Sequence, residues 1–270
     1  MMLQNKEIPF EKIAELLNSF LNLKSLKDRY TVKVPELPDF CAELNKKILQ
    51  EKNIFEKNIL LKENLKKYFT KDINDNNKIT LVNYIINTWG GIQKLRAGER
   101  QNLIFNDISS PKSKDIIISE NAYISSRSKV FSFLNPKKYV ICDSRVIFSL
   151  NWLLFIARTE KQLIQFKQLE IRNRVCKSYN LLYLFEKNNM QAACTIDNYD
   201  DYLDFIKTLT DEIKKTDKKW KLYFTEMLLF QIADDLVYGL PFLVRELLLK
   251  NNPDFSFENA LEFLKKKNPK

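Results

Sequence analysis

The sequence predicts an almost entirely α-helical protein: two packed helical lobes with a central helix-hairpin-helix-like element between them. Apolar residues recur at i, i+3 and i+4 in segment after segment, which gives each segment one face to bury and one to solvate. Short polar stretches, or ones containing Pro or Gly, separate these segments and stop the helices. The chain has 270 residues, 45% of them hydrophobic and 12% aromatic, enough for a large core and too apolar for a disordered chain. The expected divisions are an N-terminal helical segment over 1–77, a central region with the hairpin over 78–195, and a C-terminal region over 196–270 that packs back on the core.

Taken in order, Phe10 to Leu23 places Ile13, Leu16, Leu17, Phe20 and Leu21 on one helical face. The alternation in TVKV, followed by Pro35 and Pro38, predicts an extended link from which Asp39 starts the next helix. Phe40 to Phe69 reads as two helices interrupted near Lys52 and Asn53, and the polar run Lys71 to Lys78 reads as a linker. The helix Ile79 to Trp89 should end at Gly90 and Gly91, which accept the left-handed conformation that closes a helix. Lys94, Arg96 and Arg100 form a basic segment around Gly98, and Asn106 to Lys114 reads as a loop. After the central stretch, Gln162 to Arg174 mixes apolar and basic residues. The acids Asp197, Asp200, Asp201 and Asp204 open a helix running to about Lys215, with Tyr202, Leu203, Ile206 and Leu209 on its buried side. Trp220 to Leu236 is a strongly apolar helix carrying Glu226. Gly239 to Pro241 predicts a bend, Phe242 to Leu249 resumes the helix, and Phe255 to Lys267 reads as a last amphipathic helix.

The most informative stretch is Ser125 to Arg158: a helix, a Pro-Lys-Lys turn, the apolar approach Tyr139 to Cys142, and Asp143 opening a second helix. A carboxylate in that position accepts from the free N–H groups of the first turn and is favoured by the helix dipole. On the residues alone, Asp143 reads as a helix cap with a charged neighbour, Arg145. Glu226, set among Phe224, Met227 and Leu228, needs a partner if buried, and Arg145 or a lysine of the hairpin would serve.

Composition excludes several chemistries. The chain has no histidine, so Ser-His-Asp and Cys-His catalysis and His-ligated zinc are ruled out, leaving carboxylates, Lys, Tyr and Cys for acid–base work. Cys41, Cys142, Cys176 and Cys194 are scattered without a Cys-x-x-Cys pair and read as buried thiols in a reducing cytoplasm. Four glycines make neither a P-loop nor a dinucleotide fingerprint. No apolar run reaches membrane-spanning length free of charge, so no membrane partner is expected, and no cofactor or metal is expected either. The net charge of +10 fits a polyanionic partner, and codon bias toward lysine accounts for the same number.

Asp143, Ser144, Arg145 and Val146, preceded by Ser128, Phe131, Phe133 and Leu134, give a stretch that resembles the helix-hairpin-helix DNA glycosylases, most nearly their 8-oxoguanine glycosylase branch. The chain departs from that family in the hairpin, where no Gly lies between Gly98 and Gly239, and in its lysine, since Lys129 stands closer to the aspartate than the family's does. The resemblance implies a DNA partner and cleavage of the N-glycosidic bond of an extruded base, with Asp143 stabilising the cationic sugar and Lys129 as a nearby cation or nucleophile. It further implies Trp89 and Trp152 as stacking platforms, and Lys94, Arg96, Arg100, Arg127, Lys137, Lys138 and Arg145 as nucleic-acid contacts. A hydrolytic reaction is expected ahead of a lyase. The alternative is a non-catalytic helical nucleic-acid-binding or assembly protein on a glycosylase-like scaffold.

Overall fold

The computed structural model describes residues 8–20, 23–70, 74–92, 123–158, 163–169 and 192–249. About 70% of them are helical and 4% lie in strands, so the fold is mainly helical. The N-terminal helices are α1 (Phe10–Phe20) and α2 (Leu23–Arg29). An extended segment then leads through a 3-10 turn (Asp39–Cys41) into α3 (Ala42–Gln50), which is followed by α4 (Ile54–Asn64) and α5 (Lys66–Thr70). The expected break at Lys52 and Asn53 is present because Asn53 turns out of helix and accepts the Glu56 N–H, capping α4. Helix α6 (Asp75–Asn83) begins inside the polar run expected to be a linker, since Asn74 caps it through the Asn77 N–H.

Helix α6 continues into a π-helical turn, Tyr84–Trp89, closed by Gly90 N–H donating to Ile85 O at 2.9 Å and Ile92 N–H to Ile86 O at 3.1 Å. Of the two glycines, Gly91 takes the left-handed conformation, φ +64, and Gly90 does not. The central pair is α7 (Ile124–Leu134) and α8 (Ser144–Ala157), joined through the basic turn as expected. Helix α9 (Tyr199–Ile213) follows, capped by Asn198. Last among the described residues is α10 (Leu222–Leu249), one continuous helix rather than two with a bend at Gly239 to Pro241. Proline removes a single N–H from the ladder, and the flanking turns carry the helix across it. The expected helix over Phe255 to Lys267 lies outside the described residues.

Two short strands, β1 (Leu163–Phe166) and β2 (Ala192–Ile196), pair in parallel and were not expected from the pattern of residues. Helix α8 anchors them: the Asn151 side chain donates to Phe166 O at 3.0 Å and accepts the Phe166 N–H at 2.7 Å.

Two apolar clusters hold the described residues together. The larger is built from α1, α2, α8, α9 and the first half of α10, the smaller from α3, the α4–α5 junction, α6 and the π turn. Helix α7 enters both, giving Phe131 to the first and Val130 and Phe133 to the second. No described helix is long and apolar enough to cross a membrane.

Candidate functional site

The segment leading to Asp143 is locked before the acid is reached. Tyr139, Val140, Ile141 and Cys142 are buried, so their peptide groups need partners inside the protein. Helix α9 supplies two: Tyr199 Oη donates to Val140 O at 2.7 Å and Tyr202 Oη to Ile141 O at 2.6 Å, the rings stacked at 5.9 Å. Ser128 on α7 supplies the third, its Oγ accepting the Cys142 N–H at 3.0 Å. Burial raises both phenols well above their ordinary range and the charged groups nearby raise them further, so each stays a donor. Tyr202→Phe leaves a buried carbonyl unpaired and is expected to cost about 1–3 kcal/mol, read as a shift in the urea midpoint at unchanged m.

Asp143 is extended (φ −124, ψ 172), and its Oδ1 accepts from Arg145 N at 3.0 Å and Val146 N at 3.1 Å. One oxygen therefore makes the cap. The other, Oδ2, faces Lys129 Nζ at 3.8 Å, with 8% of the Lys129 side chain and 13% of the Asp143 side chain exposed. The amine has one further contact, a long hydrogen bond of 3.5 Å to Ser125 O. Its aliphatic stem rests on the π-turn exit, where a Cβ on Gly90 would stand 2.9 Å from Lys129 Cδ. Lys129 is thus a nearly buried amine held by packing, with weak hydrogen bonding and a carboxylate within electrostatic reach.

A second buried pair lies beside the first. Lys62 Nζ on α4 donates to Glu226 Oε2 on α10 at 2.7 Å, with 4% and 3% of the side chains exposed. The partner of Glu226 is therefore Lys62, not Arg145 or a hairpin lysine. Burial pushes the Glu226 carboxyl above its usual range; Lys62 opposes this, the Asp143 charge adds to it and Lys129 counters. Tyr30, also buried and raised, feels Glu226, Asp143 and Arg145 together. Among the described residues no group of His, Cys, Asp or Glu has a metal-binding arrangement.

The remaining predicted site residues fall in several places. Trp89 is half-buried next to Gly90, its Nε1 donating to Asn58 Oδ1 at 3.0 Å and its ring edge-on to Phe133. Trp152 is fully enclosed and packs edge-on to Phe155, so the expectation that it stacks a base is corrected: neither ring face is open. Arg145 is engaged within the chain, ion-paired with Asp234 and stacked 4.4 Å over the Phe230 ring. Arg127 is half-buried on α7, while Lys137 and Lys138 are exposed in the turn. Lys94, Arg96 and Arg100 lie outside the described residues.

Sequence reasoning missed Tyr199 and Lys62, and it gave Ser128 no role beyond the resemblance and Gly90 none beyond ending a helix. Tyr199 and Tyr202, three apart on the buried face of their helix, carried a usable signal, because two buried hydroxyls require two acceptors. Lys62 stands among Ile59, Leu61 and Leu65 and looks like any solvated lysine. No family model matches this chain, and no curated protein or solved structure matches it either.

Proposed function

We propose that this is a DNA-binding protein that cleaves the N-glycosidic bond of an extruded, damaged or modified base, with Asp143 and Lys129 as its catalytic pair. The observation that carries the reading is the 3.8 Å approach of the Lys129 amine to Asp143 Oδ2, the carboxylate oxygen that the helix cap leaves over. As the bond from C1′ to the base nitrogen lengthens, the sugar gains positive charge, and a fixed carboxylate in a partly dry site stabilises that charge. Water adds at C1′, the base leaves with the bonding electrons, and the proton released by the water balances the departing nitrogen. If the neutral amine attacks C1′ in place of water, the base leaves with the bonding electrons, the nitrogen gives up a proton and the C1′–O4′ bond opens, leaving an imine that borohydride reduces to a permanent link.

Asp143→Asn is the cleanest test, because the amide keeps an Oδ1 to cap α8 and removes the charge. Base release from duplexes carrying oxidised or alkylated bases is expected to fall by about 10²–10³ in kcat, the usual loss for one preorganised electrostatic group. Unchanged turnover in this variant, with the helix intact by circular dichroism, removes the mechanism. Lys129→Gln with and without borohydride separates the two nucleophiles: a trapped adduct lost in the variant assigns the amine, and release without trapping assigns water.

A second reading is favoured by a specific observation. Asp143 makes its cap in full and Arg145 is already paired, as in a scaffold that binds nucleic acid without acting on it. Salt-dependent DNA binding with no base released from any such duplex selects that reading.

A further inference from the structure

The ends of three elements converge on the buried Lys62 amine, which lies 5.9 Å from the Phe133 ring near the end of α7 and 5.6 Å from the Tyr223 ring at the start of α10. Around that point the surface is basic. Lys66 and Lys67 are exposed on α5, Lys137 and Lys138 in the turn after α7, and Lys221 at the entrance to α10. Two acids reach these lysines: Asp200 acts on Lys138, and Glu63 accepts from Lys221 Nζ at 2.7 Å and from the Tyr223 hydroxyl. Burial alone would raise the Glu63 carboxyl, but those donors and the charges of Lys221 and Lys137 bring it below the ordinary range. Glu63 thus keeps its charge, and the five lysines still outnumber the two acids.

We propose that Lys66, Lys67 and Lys221 extend the Lys137–Lys138 turn into one continuous track for the phosphates of duplex DNA, on three elements that the chain separates by more than 150 residues. The identity of the partner rests on the function proposed above; the track itself rests on the packing of α5 against α7 and on Glu63, which the charges of Lys137 in the turn and Lys221 before α10 both reach. Lysine ammonium groups on flexible stems suit sequence-independent binding of phosphates, which releases counterions and so depends on salt. The track positions the duplex, and the Lys129–Asp143 pair acts on the base.

The test uses the full chain and a fluorescein-labelled, mixed-sequence duplex, with anisotropy followed over a salt series. Lys66→Gln/Lys137→Gln/Lys221→Gln is compared with Lys46→Gln/Lys47→Gln/Lys207→Gln, an equal charge removal from exposed positions of α3 and α9. The track variant is expected to flatten the slope of log K against log salt by about 0.9 for each phosphate it no longer neutralises and to weaken binding at least about tenfold, with the control far less affected. Equal weakening in the two variants, no weakening in the track variant, or a larger effect on anionic lipid vesicles than on the duplex each overturn the proposal. Asp143→Asn serves as the separator. If it binds the duplex normally while the wild type itself releases no base, the catalytic reading fails and the track stands; base release at unchanged KM in the track variant has the opposite meaning.

Discussion

Lys62→Met is expected to destabilise the protein by about 3–5 kcal/mol, because it strands the Glu226 carboxylate in the core without a counter-charge. Both members of the pair are almost fully buried, and their 2.7 Å contact offsets the cost of removing two charges from water. The double replacement Lys62→Met/Glu226→Leu should recover most of that loss, since burying two apolar side chains of similar size is often neutral or better than burying the pair. Urea unfolding of the wild type, both single variants and the double variant closes the cycle. Its pH dependence has a definite sign. With Lys62 gone, the Glu226 carboxyl, already raised by burial, rises further. The folded state then holds a proton that the unfolded chain releases, so stability is fullest below the ordinary carboxyl pKa and is lost as pH rises through the folded one. The defect in Lys62→Met should therefore shrink on acidification and grow as pH rises.

Gly90→Ala is the second large effect expected, and it joins the fold to the site. A Cβ at this position would stand 2.7 Å from Ile85 O and 2.8 Å from Ile86 O, both backbone atoms, and 2.9 Å from Lys129 Cδ. The carbonyls belong to the π turn and cannot swing aside cheaply, so a loss of about 1–3 kcal/mol is expected from overpacking. The Lys129 stem must also move, which shifts the amine relative to Asp143. Gly91→Ala is the natural comparison: its left-handed φ of +64 disfavours alanine, but nothing lies within 4 Å of the added carbon. Gly91→Ala should lower stability and leave the Lys129–Asp143 separation intact, whereas Gly90→Ala should alter both. Thermal melts report the first quantity, and competitive chemical modification of Lys129, read by mass spectrometry, reports the second.

These contrasts mark how far the chain could be read in advance. The helices were legible where an apolar stripe and a capping residue coincide, as at Asn53 before α4 and Asp143 before α8. The polar run before α6 misled because Asn and Asp serve a linker and a helix start equally well, and Asn74 took the second role. Pro241 misled in the opposite direction, because a helix as long as α10 tolerates the loss of one hydrogen bond. In the site, Asp143 was legible from its place between an apolar approach and an apolar helix. Lys129 was marked by the resemblance as a nearby cation, but the room for its stem was not legible, because that room depends on Gly90, 39 positions earlier in the chain. Trp152 shows the limit for aromatics: a stripe at helical spacing gives the ring a face of the helix and does not say whether that face meets solvent.

The amide of Asn151 reaches out of a helix and treats the peptide of Phe166 as a neighbouring strand would, giving and receiving one hydrogen bond. A peptide occupied in this way offers no template to a strand from another molecule. Because Asn151 and Phe166 are both buried, shortening that amide to alanine would orphan the N–H and C=O of Phe166 inside the protein, and the strand pair would lose its anchorage to the helix before anything else changed.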